Sequence, residues 1–199
     1  MHRSRRVLIA VGAAAVSLVA AVGPVGGATV AVGVADFSFT PAKVTAAQGG
    51  AAQWNFKGPS THTATALMGL FNSGFKSSGT SYSFAFVAAG KYPYRCSIHS
   101  SMTGMVVVPL KVAPASGGST TMFSVTWASG PLPANHVADV QIKRPGTTSF
   151  VSWKTSQTGR SSSFVPDQGR GTYSFQGRLR NTATAKASSY SPAASISVS

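Results

Sequence analysis

Residues 90–108 read GKYPYRCSIHSSMTGMVVV, and this stretch decides the fold. A segment that alternates Tyr92 and Tyr94 with other residues runs into a loop of small polar residues, and a Val-rich run follows. The reading is strand, tight loop, strand. The loop holds Cys96, the single cysteine of 199 residues, with His99 three positions on and Met102 and Met105 beyond it. One cysteine permits no internal disulfide, so packed cores must supply the stability. The plain reading of a lone thiol is a small buried hydrophobe; the rest of the chain decides whether that is enough.

Working outward, the same strand signals recur through the first half. Short runs rich in Val, Phe, Trp, Tyr and Thr fall at 29–34, 36–39, 43–45, 51–56, 62–66, 81–86, 90–95 and 104–112, punctuated by Gly, Pro, Ser and Asn. In 81–86 the aromatic residues Tyr82, Phe84 and Phe86 share one face, a period of two. Helical periodicity is nearly absent. Regular short strands separated by turn residues predict an all-β chain of antiparallel sandwiches. Residues 113–120, APASGGST, have the composition of a flexible linker. A second set of strand-like runs follows at 121–129, 137–145, 149–155, 161–166, 171–181 and 188–198. The expected organisation is therefore 1–28, 29–112, 113–120 and 121–199, with the first half able to fold without the second.

The first block has the layout of a secretory signal peptide. Arg3, Arg5 and Arg6 precede an uncharged apolar run from Val7 to Val22, then small residues, with Ala28 as the expected cleavage point. The pair Arg5–Arg6 also fits a twin-arginine signal, so export by the Sec or the twin-arginine route is expected, to a secreted or periplasmic, extracytoplasmic location. No transmembrane span is expected in the mature chain of about 170 residues, long enough for one or two small domains. Setting those three arginines aside leaves 14 of the 17 Lys and Arg against three acids (Asp36, Asp139 and Asp167), a net +11 with no Glu. The basic residues are scattered singly, which argues against nucleic-acid binding and for attraction to acidic partners or an anionic envelope.

Chemistry gathers at the opening stretch. Cys96 and His99 sit on one tight loop, and His62 begins a candidate strand 34 positions before the cysteine. One thiolate, two imidazoles and a weak thioether make up the donor set of a type 1 copper site, with the soft thiolate favouring copper over harder ions. Zinc could use the same thiolate and imidazoles, although a structural zinc site usually has more cysteines or histidines. A Cys–His nucleophilic pair is the enzymatic reading, but the spacing suits a shared metal and few carboxylates exist to orient a base. Met105 begins the Val-rich run and reads as a packing residue. Met68 reads as core or as part of an apolar rim with Pro59 and Phe71, and His136 as a solvated loop residue.

Taken together, DFSFTPAKVTAAQGGAAQWNF (36–56), THTAT (61–65) and the stretch at 90–108 resemble a small cupredoxin of the plastocyanin and amicyanin kind. The likeness spans about 29–112. The resemblance implies a Greek-key β-sandwich with one type 1 copper held by His62, Cys96, His99 and Met102, the short amicyanin-type spacing Cys-x-x-His-x-x-Met. It implies one-electron transfer by Cu(I)/Cu(II) cycling without catalysis, with electrons passing at the edge of His99 to a redox partner whose acidic surface would meet Lys57, Lys76, Lys91 and Arg95. A module for copper delivery or sequestration is the alternative. Asn55 and Thr63 are candidate hydrogen-bond donors around the sulfur. The family often has Asn directly after the first His ligand; Thr63 departs from that pattern.

The second half resembles, less specifically, a fibronectin type III-like, immunoglobulin-like sandwich. Trp127 and Tyr173 stand where that family keeps a core Trp and a strand F Tyr, and Tyr173, Phe175 and Leu179 alternate on one face. The first strand of such a domain is expected to be short or missing, because it would overlap 113–120. A spacer or anchor is expected from this half, with contact to the cell envelope or a glycan through Trp153 and its arginines.

Overall fold

The structure is a computed structural model that describes residues 27–199. The signal-peptide reading therefore lies outside the described residues except for Gly27 and Ala28. Among the described residues there are strands and no helices.

The first half contains β1 (Thr29–Ala35), β2 (Ser38–Thr40), β3 (Lys43–Thr45), β4 (Gly50–Phe56), β5 (Thr65–Ala66), β6 (Ser81–Phe86), β7 (Gly90–Arg95) and β8 (Thr103–Val108). They form two four-stranded sheets, in the orders β2-β1-β4-β6 and β3-β8-β7-β5. Pairing is mixed, not purely antiparallel as the strand pattern suggests. β1 runs parallel to β4, and β3 parallel to β8. Periodicity sets the face of a side chain and says nothing of strand direction. Parallel partners need a crossover, and between β1 and β4 the chain supplies one by crossing to the second sheet and back through β3.

Alternation builds the core between these sheets. In β4 Ala52, Trp54 and Phe56 are buried while Ala51, Gln53 and Asn55 are only partly so. In β7 Tyr92 and Tyr94 point inward. The two inner faces meet through edge-on rings, Trp54 with Tyr94 at 5.2 Å and Phe39 with Tyr94 at 4.8 Å, and through Phe86 with Tyr92 at 5.1 Å. Full burial of such a ring stabilises by roughly 1.5–3 kcal/mol. Gly104, which starts the inward series of β8, lies so close under the Tyr94 ring that any Cβ would collide with it. This contact fixes the height at which the ligand loop leaves β7.

The second half contains β9 (Lys111–Ala113), β10 (Ser116–Gly117), β11 (Phe123–Thr126), β12 (His136–Lys143), β13 (Val151–Gln157), β14 (Ser161–Phe164), β15 (Gly171–Asn181) and β16 (Ala194–Val198). Its sheets are β14-β11-β9 and β10-β16-β15-β12-β13. Phe123, Val125, Trp127, Val140, Ile142, Tyr173, Phe175 and Leu179 are buried between them. The Tyr173 hydroxyl donates to Gly169 O at 2.9 Å and accepts from Gln168 N at 2.8 Å, the hydrogen bonding of a tyrosine corner.

Residues 113–120 are laced into this half. Ala113 ends β9, which pairs with β11, and Ser116–Gly117 is β10, which pairs with β16. The first strand, expected to be short or missing, is thus present as two short pieces. The halves also share hydrogen bonds. Gln48 Nε2, on the first half, donates to Pro109 O and to Thr126 O at 3.0 Å each, and the N–H of Ala89 donates to Trp127 O at 2.7 Å. Lys91 and Ser189 exchange backbone bonds of 2.9 and 3.0 Å. Composition alone could not reveal this: Gly, Ser and Pro suit a tether, and they suit equally a short strand whose partners come from elsewhere in the chain.

Candidate metal centre

Three donor atoms converge at one end of the first sandwich. Cys96 follows β7 directly, and His99 is on the turn between β7 and β8. The loop closes on itself through Cys96 N donating to Met102 O and Met102 N donating to His99 O, both at 3.0 Å. His62 arrives from the connection between β4 and β5, tied to Lys76 by a pair of backbone hydrogen bonds of 3.1 and 2.9 Å. Nδ1 of His62 and Nδ1 of His99 are 3.2 Å apart, and each is 3.8 Å from Cys96 Sγ.

A triangle of that size is what donors at about 2.0–2.3 Å from one ion span. The donor set fits a metal on chemical grounds as well. His62 Nε2 donates to Asp36 Oδ1 at 3.0 Å, so in the neutral ring Nδ1 presents its lone pair to the sulfur and to the other imidazole. With the Nδ1 lone pair of His62, the sulfur of Cys96 and Nδ1 of His99 all within 3.8 Å of one another, a cation among them would be bound by all three.

The sulfur is prepared as an anion. Thr63 N donates to Sγ at 3.3 Å. Burial pushes the Cys96 thiol up, but the N–H groups of Thr63, His99 and Ile98, together with the His62 ring when protonated at Nδ1, outweigh it and bring the thiol down to about 6. A lowered thiol pKa favours the thiolate, the form that ligates soft metals. The same balance acts on His62. Burial lowers its pKa, but the Asp36 carboxylate and the Cys96 sulfur prevail and raise it.

Each residue singled out in the sequence can now be placed. His62 and Cys96 are fully buried, and His99 is partly exposed. Met102 is buried at 1 % exposure beneath the loop its own backbone closes. Met105 belongs to the outward series of β8, opposite Lys43 and Pro93 on neighbouring strands, and lines a surface groove of ≈ 590 Å³ with Leu67 and Lys91. Thr63 contributes its backbone amide to the sulfur. Its Oγ1 accepts from Ser97 N at 2.8 Å and so ties the His62 segment to the ligand loop. Asn55 stands on the face of β4 opposite Trp54 and makes no side-chain hydrogen bond to the sulfur. His136 opens β12 and its Nδ1 donates to Ala134 O at 2.8 Å, remote from the site.

The apolar rim differs from the expectation at Phe71, whereas Met68 takes the core place that was one of its two readings. Met68 and Phe71 are core residues at 4 % exposure, and Phe71 is packed against Trp54, Phe84 and Phe86. The aromatic neighbour of His99 is Phe37, edge-on at 5.0 Å and 64 % exposed. Phe37 and Asp36 form the two-residue turn between β1 and β2. Sequence reading missed both as site residues. Their signal was an acid at a hairpin turn in a chain with three acids, a pattern without meaning until β1 is placed beside the His62 loop.

The sequence matches no known protein family and no curated protein. Among solved structures, an amicyanin variant in its reduced state is 24% identical over 40% of this chain and 81% of its own, with a TM-score of 0.38. The Cu(I) form of another amicyanin variant is 25% identical over 41% of this chain and 82% of its own, at a TM-score of 0.38. A purple cupredoxin from Nitrosopumilus maritimus is 22% identical over 41% of this chain and 98% of its own, also at 0.38. Each likeness covers less than half of this chain.

Proposed function

We propose that this chain is an extracytoplasmic type 1 copper protein that carries single electrons, not an enzyme. The observation behind this reading is the convergence of one thiolate sulfur and two imidazole Nδ1 atoms, mutually 3.2–3.8 Å apart, at the end of a rigid sandwich. Copper held by His62, Cys96 and His99, with Met102 as a weak axial thioether, supplies a Cu(I)/Cu(II) couple.

The protein's part is to keep the ligands still. Asp36 holds one ring of the set, the Thr63 amide holds the sulfur, and the backbone bonds between Cys96, Met102 and His99 hold the loop. A cradle locked from several directions changes little between oxidation states, which favours fast transfer. His99 is the ligand with an exposed edge, and Phe37 beside it offers an apolar landing for a redox partner. An acidic partner surface would suit the surrounding Lys57, Lys76 and Arg95.

The second half reads as a fibronectin type III-like sandwich over 121–199. Its three-on-five sheets and the tyrosine corner support this, with β9 and β10 extending the domain back into 111–117. Its role in this reading is to space or anchor the copper domain at the cell envelope. Export through the signal peptide places the whole in an extracytoplasmic compartment.

The test is to load the protein with copper, record its visible and electron paramagnetic spectra, and measure its reduction potential and electron-exchange rate. Intense visible absorption with rapid exchange is expected. A colourless copper-loaded protein with a freely reactive thiol overturns the assignment, and a coloured site with slow exchange favours copper delivery or sequestration.

A further inference from the structure

We propose that Asp36 is a positioning residue of the metal centre, whose carboxylate both orients His62 and biases the bound copper toward Cu(II). The proposal rests on the copper reading above and goes beyond its ligand set.

The acid stands apart from the other two carboxylates. Asp139 pairs with Arg178 and Arg180, and Asp167 with Arg144. Asp36 instead takes His62 Nε2 at 3.0 Å, although the chain carries 17 Lys and Arg. It is also held by the loop that carries His62. Ser60 N donates to Oδ1 at 3.3 Å, and Lys57 N and Gly58 N donate to Val34 O at 2.8 and 3.3 Å, binding the His62 loop onto β1. A Cβ on Gly58 would lie 2.5 Å from Asp36 Oδ1, so only glycine lets the loop close over the carboxylate. The next residue, Phe37, adopts φ 64, a left-handed conformation that disfavours a bulky side chain. The turn persists in that form while one of its residues grips His62 and the other lies against His99.

Two effects follow. A carboxylate fixed on Nε2–H selects one tautomer and one ring orientation, leaving Nδ1 for the metal, and it makes the imidazole a stronger donor. Its full negative charge also favours the more positive ion, which a neutral acceptor in the same place would do far less. The potential of the couple is thereby lowered.

The test uses the full-length protein as wild type, Asp36→Asn and Asp36→Ala. Asn keeps an acceptor of the same shape and removes the charge; Ala removes both. Asp36→Asn is expected to retain the colour while losing about 10–100-fold in affinity for Cu(II) relative to Cu(I). Each tenfold loss raises a one-electron potential by about 59 mV. In the metal-free protein, nitrogen NMR should show His62 as the Nε2–H tautomer in wild type and as a tautomer mixture in Asp36→Ala. An unchanged potential in Asp36→Asn overturns the charge bias, and an unchanged tautomer in Asp36→Ala overturns the positioning role. A wild type that takes up no copper would instead sink the copper reading itself, with the metal-free NMR still deciding whether Asp36 positions the ring.

Discussion

The N–H of Thr63 points at Sγ of Cys96 across 3.3 Å, although 33 residues separate them in the chain. Because the donor is backbone, the sulfur receives its hydrogen bond whatever side chain follows His62. A Thr at position 63 therefore costs the sulfur nothing at this contact. What the Thr63 side chain does is hold Ser97 N through Oγ1.

Cys96→Ser should abolish visible absorption of the copper-loaded protein, since the intense band of a thiolate–Cu(II) site needs the sulfur. Thr63→Ala should keep the colour and lower stability by about 1–3 kcal/mol, because Oγ1 also donates to Ser97 Oγ and accepts from Thr65 Oγ1. Absorption spectra and thermal melts of both variants check the pair. Loss of the band in Thr63→Ala would mean that the side chain, not the amide, supports the sulfur.

The two methionines on β8 and its approach should separate cleanly. An axial thioether stabilises Cu(I) relative to Cu(II), so Met102→Gln, with a harder oxygen donor, should lower the potential and shift the spectrum. Met105 faces outward among Lys43, Leu67 and Lys91, so Met105→Gln should leave the potential alone and cost at most about 1 kcal/mol of stability. Potentials and melting temperatures of both copper-loaded variants decide. The opposite pattern would reassign the axial ligand.

Acid should weaken the second half through Asp139. Burial pushes this carboxyl up, but hydrogen bonds from Arg180, from the Ser156 N–H and from Arg178 outweigh it and hold it at about 2. Its folded value lies below the unfolded value of about 3.9, so its contribution, roughly 2 kcal/mol, is complete above that value and is lost as pH falls toward 2. Asp139→Asn should flatten the pH dependence of the melt between pH 4 and about 2. An equally steep fall in the variant would place the acid sensitivity elsewhere.

A chain ending after Ala113 should retain its colour with copper and melt at a lower temperature than the full protein. All four proposed ligands precede the cut. The truncation nevertheless uncovers Ala88, Ala89 and Leu110 and removes Thr126 O, Trp127 O and Ser189 from their partners on the first half. Comparison of spectra and melts of the two chains checks this; colour lost on truncation would show that the second half completes the site.

The sequence by itself determined the all-β character and most strand positions. Period-two alternation, as in Tyr92 and Tyr94 or Tyr82, Phe84 and Phe86, is a local property of a pleated chain with one face buried. It likewise pointed to the three converging donors, because Cys96 and His99 lie within one loop and His62 was one of few histidines left to join them. Tertiary structure alone decided the rest. The parallel pairing of β1 with β4 carries the Asp36 turn to the His62 loop, the pairing of β9 and β10 draws Ala113 and Ser116–Gly117 into the second sandwich, and Phe37 rather than Phe71 packs edge-on to His99. Each of these joins residues far apart in the chain, and a local pattern of hydrophobic and polar residues carries no record of which distant strand it will meet.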